Sequence, residues 1–139
     1  MKLETSIMID APVTQVWEVF VDFKKYPEWN PFVLAIDGEV AKNEQIAITL
    51  PTMNFKPTLL KFDEASELRW LGKLWMKGIF DGEHYFQFKA IDENRTQFIH
   101  GELFKGILVP LMRKQLNGSI KKGFEEMNQA LKTRAEKNR

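Results

Sequence analysis

Hydrophobic and polar residues alternate in short stretches, which predicts a β-rich domain with helices near both ends of the chain. A first strand is predicted by the alternation at Leu3, Thr5, Ile7 and Ile9. A helix follows, because Pro12 can open a first helical turn without losing a hydrogen bond. Apolar residues then recur at helical spacing, at Val13, Val16, Trp17 and Phe20.

Between residues 32 and 105 the hydrophobic period is two, as in antiparallel hairpins with one dry face and one wet face. Six more strands are predicted here. The first three hold inward positions at Phe32, Leu34, Ile36, Ile46, Ile48 and Leu50, and in a stretch from Phe55 to Phe62. On the other three the inward positions are Leu68, Trp70, Leu74, Met76, Phe80, His84, Phe86, Phe88, Phe98, His100, Glu102 and Phe104.

The C-terminal part of the chain changes to a helical period. An apolar stripe is formed by Leu108, Met112, Leu116, Ile120, Phe124, Met127 and Leu131. Gly118 and Gly123 each cost a helix about 1 kcal/mol relative to alanine, so the helix can kink near Asn117. A curved sheet that is closed on its dry face by this helix buries both stripes. The predicted fold class is therefore α+β.

Composition is that of one ordinary globular domain, which we take as residues 1–139. Hydrophobic residues make up 44%, and 20 basic against 19 acidic side chains leave a net charge of +1. This balance argues against a nucleic-acid partner. Residues 113–139 carry a net charge of +5, which we interpret as a solvated helix face rather than a site for phosphates or an anionic membrane.

Two features bear on location. The chain has no cysteine, which excludes disulfides, zinc knuckles, iron–sulfur clusters and thiol nucleophiles and favours a reducing compartment. Glu4 lies where a signal peptide would start its apolar core, and the longest uncharged apolar run, Ile107 to Met112, is too short for an integral membrane segment. We expect a cytoplasmic protein. A homodimer is compatible with this sequence, but no pattern indicates one.

Three ionisable side chains, His84, His100 and Glu102, fall on the dry face of the predicted sheet. An unpaired polar group in an apolar interior costs about 1–3 kcal/mol, so these groups must pair, meet water or meet a ligand. They could satisfy one another as part of a closed core. We favour the other interpretation, a pocket with apolar walls and a few convergent polar groups, which is the usual make-up of a small-molecule site.

The hairpin between the last two strands sets which of these residues face each other. A three-residue loop from Asp92 to Asn94, with its last residue left-handed, pairs Ile91 with Arg95. Counting back from this pair places His84 opposite Glu102, at a distance that allows a hydrogen bond. The next inward pair consists of Phe86 and His100.

Histidine titrates near neutral pH and a glutamate among phenylalanines has a raised pKa, so this cluster could transfer protons. The same three residues match the ligand count of a facial metal triad, but strand pairing explains them without a metal. We therefore predict no metal and no cofactor. Among the tryptophans, Trp70 is predicted on the cavity floor, Trp29 in a loop that could line the mouth, and Trp75 on the outer face.

Several stretches together resemble the SRPBCC or START-like superfamily, especially its small bacterial members labelled polyketide cyclase/dehydrase-like or lipid-transport-like. They are Tyr26-Pro27-Glu28-Trp29-Asn30-Pro31, Leu68-Arg69-Trp70-Leu71-Gly72, Gly78-Ile79-Phe80-Asp81-Gly82-Glu83-His84, His100-Gly101-Glu102-Leu103-Phe104-Lys105-Gly106 and Gly123-Phe124-Glu125-Glu126-Met127-Asn128. The resemblance implies a helix-grip fold, in which a seven-stranded antiparallel sheet wraps round a long C-terminal helix and two short helices follow the first strand. It also implies a deep, mostly apolar cavity between sheet and helix.

Three functions stay open, because a superfamily scaffold hosts many chemistries. The first is binding of a small hydrophobic or amphipathic molecule, such as a lipid, an aromatic or a polyketide-like compound. The second is a cofactor-free cyclase, aromatase or isomerase with catalytic candidates His84, His100 and Glu102, and the third is a protein-interaction module with a wide groove. The predicted ligand-binding residues are Trp29, Trp70, Phe80, His84, Phe86, Phe98, His100, Glu102, Phe104, Met112, Leu116 and Ile120.

Overall fold

The computed structural model describes residues 1–74, 76 and 78–137. Its strands are β1 (Lys2–Ile9), β2 (Ala35–Asp37), β3 (Ala47–Thr49), β4 (Asn54–Phe55), β5 (Thr58–Asp63), β6 (Glu67–Leu74), β7 (Phe80–Asp92) and β8 (Arg95–Lys105). Its helices are α1 (Val13–Val21), α2 (Tyr26–Trp29), α3 (Val109–Gln115) and α4 (Lys121–Lys137), with a 3-10 turn at Phe23–Lys25 and a π-helical segment at Leu116–Ile120. The prediction for Trp75 lies outside the described residues, as does the one for the side chain of Leu74.

Five long antiparallel strands form the main sheet, in the order β1-β8-β7-β6-β5, and the short strands form a second sheet in the order β2-β3-β4. A bridge between Gln45 and Thr58 links the two sheets. The α+β class is confirmed, but the described chain has eight strands in two sheets where seven in one were predicted. The additional strand arises at Pro57, between β4 and β5, because proline has no N–H to donate to a ladder.

The predicted register between β7 and β8 is confirmed, with His84 opposite Glu102 and Phe86 opposite His100. The predicted turn is wrong in detail. Asp92 pairs with Arg95, and an irregularity between Ala90 and Asp92 absorbs the extra residue, so Ile91 does not pair with Arg95. Asn94 is not among the residues with positive φ. Its N–H instead donates to the Asp92 carboxylate at 2.8 Å, a side-chain bond that supports a tight turn.

The interior divides into two apolar clusters. The larger one lies under α1 and the C-terminal half of α4, and its members include Trp17, Phe20, Phe86, Phe98, Met127 and Leu131. The smaller one consists of Leu3, Phe104, Val109, Leu116 and Phe124, with half-buried Met1, Phe32, Phe80 and Ile120 against it. On β8, His100 and Glu102 come between Phe98 of the larger cluster and Phe104 of the smaller one. A layer of polar side chains therefore separates the clusters.

The C-terminal helix is interrupted, and this changes which of its residues face the sheet. The π-helical segment adds a residue to one turn, which rotates the stripe before it by about 100° relative to the stripe after it. Leu116 and Phe124 are buried as predicted, but Met112 is 36% exposed, so its predicted place in the interior is wrong. Met76 is also exposed, because β6 ends at Leu74. No helix in the described ranges has the length and apolar character needed to cross a membrane.

Candidate functional site

The inward faces of β6, β7 and β8 form one aromatic layer around the two histidines. Trp70 stacks on His84 with 5.0 Å between ring centroids. Phe86 lies 4.7 Å from His84 and 4.6 Å from His100 by the same measure, and Phe98 lies 6.0 Å from His100. All five side chains are buried, so the predicted inward register of these strands is confirmed.

Four other predicted residues belong to the smaller cluster, beyond the histidines along the strands. The rings of Phe80 and Phe104 are 5.7 Å apart. Leu116 is buried in this cluster, and Ile120 is half-buried against it. Phe80 is half-buried as well, so this end of the core is less completely closed than the end under α1.

A continuous chain of hydrogen bonds runs from a strand carboxylate to a helix amide and back to the sheet. Oε1 of Glu102 lies 2.9 Å from Nδ1 of His84, and Nε2 of His84 lies 2.7 Å from Nε2 of His100. Nδ1 of His100 is 2.9 Å from Oδ1 of Asn128. Nδ2 of Asn128 donates to Oγ1 of Thr5 at 2.8 Å, and this hydroxyl donates to the His100 carbonyl at 3.0 Å.

The direction of each bond in the chain follows from the one before it. The Thr5 hydroxyl gives its only proton to a carbonyl, so it can only accept from Asn128, whose amide oxygen therefore faces His100. Nδ1 of His100 must then carry a proton, and in the neutral ring Nε2 is an acceptor. His84 must therefore donate through Nε2.

One proton remains to be placed, between Nδ1 of His84 and the carboxyl group of Glu102. Either the carboxyl group carries it and both rings are neutral, or His84 carries it as an imidazolium against an ionised Glu102. The two states differ by the transfer of one proton over a hydrogen bond of 2.9 Å. The pair can therefore act as an acid in one state and as a base in the other.

Burial keeps His100 in the neutral form that this chain requires. The pKa of His100 lies well below its ordinary 6.5. The main cause is removal of the ring from water, and the second is the nearby charge of His84. Hydrogen bonds to Asn128 and to the backbone of Phe124 oppose this shift without reversing it. The mobile proton is thus confined to the part of the chain formed by His84 and Glu102.

Gly82 makes room for the carboxylate. Glu102 lies beside Gly82 across the β7–β8 ladder, and a Cβ atom built on Gly82 would overlap Oε2 of Glu102. The side chain of Glu102 is 16% exposed, whereas that of His84 is 5% exposed. Glu102 is therefore more accessible to solvent than the histidine that it contacts.

Sequence reasoning missed four residues of this site, and three of them, Phe32, Phe124 and Asn128, lie on segments that pack onto the sheet. Phe124 stacks on His100 with 4.2 Å between ring centroids and 11° between ring planes, and Phe32 packs against Phe124 at 5.5 Å. Thr5 and Asn128 complete the polar chain. Two of them left a polar signal on an apolar face: Thr5 alternates with Leu3 and Ile7 on β1, and Asn128 follows Phe124 by four positions on its helix.

The two best-defined pockets in the described part of the chain lie on the surface, so the predicted internal cavity stays a prediction. Two grooves, of about 430 and 530 Å³, border α1, α2 and α4. Trp29 lines both and packs on Tyr26 at 5.1 Å, and it lies at the end of α2 rather than in the predicted loop. In the described part of the chain, no group of three or more histidine and carboxylate side chains could hold a metal ion.

Comparison with known structures supports the fold. The structure superimposes on the ZhuI aromatase/cyclase from Streptomyces sp. R1128 with a TM-score of 0.79 and 16% identity, covering 99% of this chain and 94% of that one. A START superfamily protein from Mycobacterium smegmatis gives a TM-score of 0.73 at 17% identity, with 99% of both chains covered. A hypothetical protein from Helicobacter pylori gives 0.80 at 12% identity, over 97% of this chain and 88% of that one.

At these identities the likeness establishes the helix-grip fold alone. No curated protein matches the sequence. The sequence does match one family profile, described as polyketide cyclase / dehydrase and lipid transport, over residues 1–136. Because this match spans nearly the whole chain, the protein belongs to the polyketide cyclase/dehydrase and lipid transport family.

Proposed function

We propose that this protein binds a small hydrophobic or amphipathic molecule, of lipid, aromatic or polyketide-like chemistry, between the sheet and the C-terminal helix. One observation carries the proposal. A partly exposed carboxylate, Glu102, is hydrogen-bonded to a buried pair of histidines at the border between two apolar clusters. A polar group at the end of an apolar space is what a ligand with one polar end requires.

The smaller cluster is the proposed place for the apolar body of the ligand. Its half-buried members, Phe32, Phe80 and Ile120, can turn outward at lower cost than the fully buried side chains of the larger cluster. Phe104 and Leu116 would then line the space. Trp70, Phe86 and Phe98 form the wall behind the histidines.

The polar end of the ligand would meet Glu102 first and His84 behind it. Both the lipid-transport and the cyclase parts of the family description fit a ligand of this kind. The aromatase/cyclase among the structural neighbours supports an aromatic or polyketide-like body in particular.

Native mass spectrometry of protein purified from its own host tests this directly, since a bound small molecule adds its mass to the chain. The retained molecule is then titrated back onto ligand-free protein. Replacement of Glu102 by Gln should weaken this binding by about tenfold, because a hydrogen bond to a charged group is worth roughly 1.5–3 kcal/mol. Glu125→Gln, on the exposed face of α4, is the matched control. Equal affinity for both variants would show that Glu102 does not contact the ligand.

A second function, cofactor-free catalysis of cyclisation, aromatisation or isomerisation, is favoured by the single mobile proton of the Glu102–His84 pair. Aldol-type cyclisation and keto–enol isomerisation begin with removal of a proton next to a carbonyl group, which a carboxylate or an imidazole can accept. The test is deuterium uptake from D2O into an enolisable aromatic ketone, followed by NMR. Catalysed uptake that disappears in Glu102→Gln would support catalysis, and uptake no faster than in buffer would leave binding as the function.

A further inference from the structure

An exposed apolar patch lies at the end of the sheet where β7 begins and β8 ends. Of the large hydrophobic side chains that the structure describes, the three most exposed are Leu111 at 76%, Ile107 at 71% and Met76 at 70%. Met112, at 36%, lies next to Leu111 on α3. These four residues are here called the apolar patch. None of them belongs to the proposed ligand site.

Backbone contacts hold the segments of the patch together. The N–H of Ile107 donates to the carbonyl of Gly78 at 3.1 Å, and the N–H of Leu108 donates to the carbonyl of Ile79 at 3.1 Å. Gly106, with φ of +129°, allows this approach, because a Cβ atom there would overlap the Ile79 carbonyl. The segments that carry the exposed side chains are therefore adjacent.

Basic residues are frequent in the segment of the chain that carries most of the apolar patch. Between Glu102 and Glu125 the chain carries five basic residues and no acidic one. All five are exposed: Lys105, Arg113, Lys114, Lys121 and Lys122. Among the described residues, only Lys122 of these five forms an ion pair, at 4.0 Å from Glu126. One acidic residue, Asp81, faces Lys105 across the ladder, so the surface remains strongly cationic.

We propose that the apolar patch and its basic rim form a docking surface for an anionic lipid bilayer, which replaces the interpretation of the basic residues near the patch as a merely solvated helix face. Exposed apolar side chains gain free energy by entering the boundary between headgroups and acyl chains, and basic side chains beside them are attracted to anionic headgroups. A surface that combines both and holds almost no acid fits this environment. A large apolar patch on a monomer otherwise marks an interaction site or a risk of aggregation.

Docking would place the smaller cluster against the bilayer. Phe104, Val109 and Leu116 lie in that cluster, directly inside the segments that carry the patch. Binding of the apolar patch to a bilayer does not require a ligand in the interior.

Co-sedimentation with vesicles tests the proposal. The full-length protein should bind vesicles of phosphatidylcholine that contain phosphatidylglycerol, and bind vesicles of phosphatidylcholine alone at least tenfold more weakly. Added salt should weaken the binding, because it screens the attraction. Ile107→Glu with Leu111→Glu should reduce binding by at least tenfold, and Arg113→Gln with Lys114→Gln by about fivefold for each lost charge.

Ile91→Glu is the matched control, because Ile91 is 45% exposed at the opposite end of β7. It should bind vesicles like the unaltered protein. Equal binding to both kinds of vesicle, or equal loss in Ile91→Glu, would overturn the proposal. So would the absence of vesicle binding together with a dimer that Leu111→Glu dissociates, since the occupant would then be a second copy of this chain.

Discussion

Glu102 and His84 share one proton across their hydrogen bond. The hydrogen-bond directions in the rest of the polar chain leave this proton no other position. The direction of each hydrogen bond is fixed in turn from Thr5 through Asn128 to His100, because each group has its donor and acceptor determined by its neighbour. A site of this kind is already satisfied when no ligand is bound. Its net contribution to the free energy of unfolding is therefore small compared with its contribution to ligand recognition.

We expect Glu102→Gln to lower the free energy of unfolding by only about 1 kcal/mol, because the amide keeps the shape and can donate to Nδ1 of His84. Chemical denaturation of the ligand-free protein measures this, with Glu125→Gln as reference. An unfolded variant would instead mean that the polar cluster is structural.

The low pKa of His100 makes stability depend on pH. The unfolded histidine titrates near 6.5, whereas burial and the charge of His84 keep the folded side chain neutral far below that value. The unfolded state therefore binds more protons, so stability is complete above pH 6.5 and falls as the pH falls below it. The slope contributed by this group approaches about 1.4 kcal/mol per pH unit.

Urea unfolding over a pH series measures this slope, and His100→Gln should flatten it. An NMR titration of the unaltered protein provides an independent check. The His100 ring signals should keep their shifts through pH 6.5, and a midpoint near that value would contradict the argument.

At this scale the sequence predicted the pairing of His84 with Glu102, because alternation and a loop count are enough to set a hairpin register. It did not predict that His100 meets Asn128, because that contact depends on how α4 is rotated on the sheet. The turn was wrong in detail for a related reason. A three-residue loop and a two-residue turn with a bulge give the same register beyond them, so the pattern cannot separate the two.

Elements were predictable where one periodicity ran without a break. The strands β1, β7 and β8 and the helix α4 follow from such runs. The separation of β4 from β5 did not, because Pro57 divides a single predicted stretch, Phe55 to Phe62, into two strands. The glycines indicated an irregularity near Asn117, but its π-helical form was not predicted, since Leu116 and Ile120 fit an α-helical stripe equally well.

The two glycines of the C-terminal helix should respond in opposite ways to alanine. A Cβ atom on Gly118 would meet nothing within 4 Å, so Gly118→Ala should raise the free energy of unfolding by about 0.5–1 kcal/mol. A Cβ atom on Gly123 would lie 2.6 Å from the Phe32 ring, so Gly123→Ala should lower it by about 1–3 kcal/mol.

Chemical denaturation of both variants against the unaltered protein provides the comparison, and each variant is the control for the other. Equal stabilisation by both substitutions would show that the Phe32 ring does not pack against Gly123. It would also contradict the packing described around His100, because Phe32 contacts Phe124, whose ring stacks on His100.

For the molecule as a whole, the C-terminal helix is part of the core rather than an addition to it. Removal of residues 116–139 takes away Leu116, Phe124, Met127 and Leu131, all buried. Burial of each large apolar side chain is worth roughly 1.5–3 kcal/mol, and a domain has only about 5–15 kcal/mol of net stability. The chain ending at Gln115 should therefore be unfolded or aggregated.

Circular dichroism during thermal unfolding checks this, with a chain ending at Lys137 as the folded control. A soluble truncated form that melts cooperatively would contradict it. The fold class and this role of the helix were both predictable, because a dry sheet face and an apolar helical stripe leave few ways to bury each other. The close packing of Phe32 and Phe124 around the histidines was not, because side-chain packing depends on every neighbouring element at once.

The polar layer between the two clusters also has a consequence for how the chain finds its native pairing. Apolar side chains are interchangeable, so β7 and β8 could slip by two residues and still keep a dry face inward. The histidines and the glutamate are not interchangeable, since such a slip would set His84 against Phe104 or against His100 and leave Glu102 without its partner. Each buried polar group left unpaired costs about 1–3 kcal/mol, enough to make the slipped hairpin a rare state. The layer therefore selects the native register during folding, before any ligand is present.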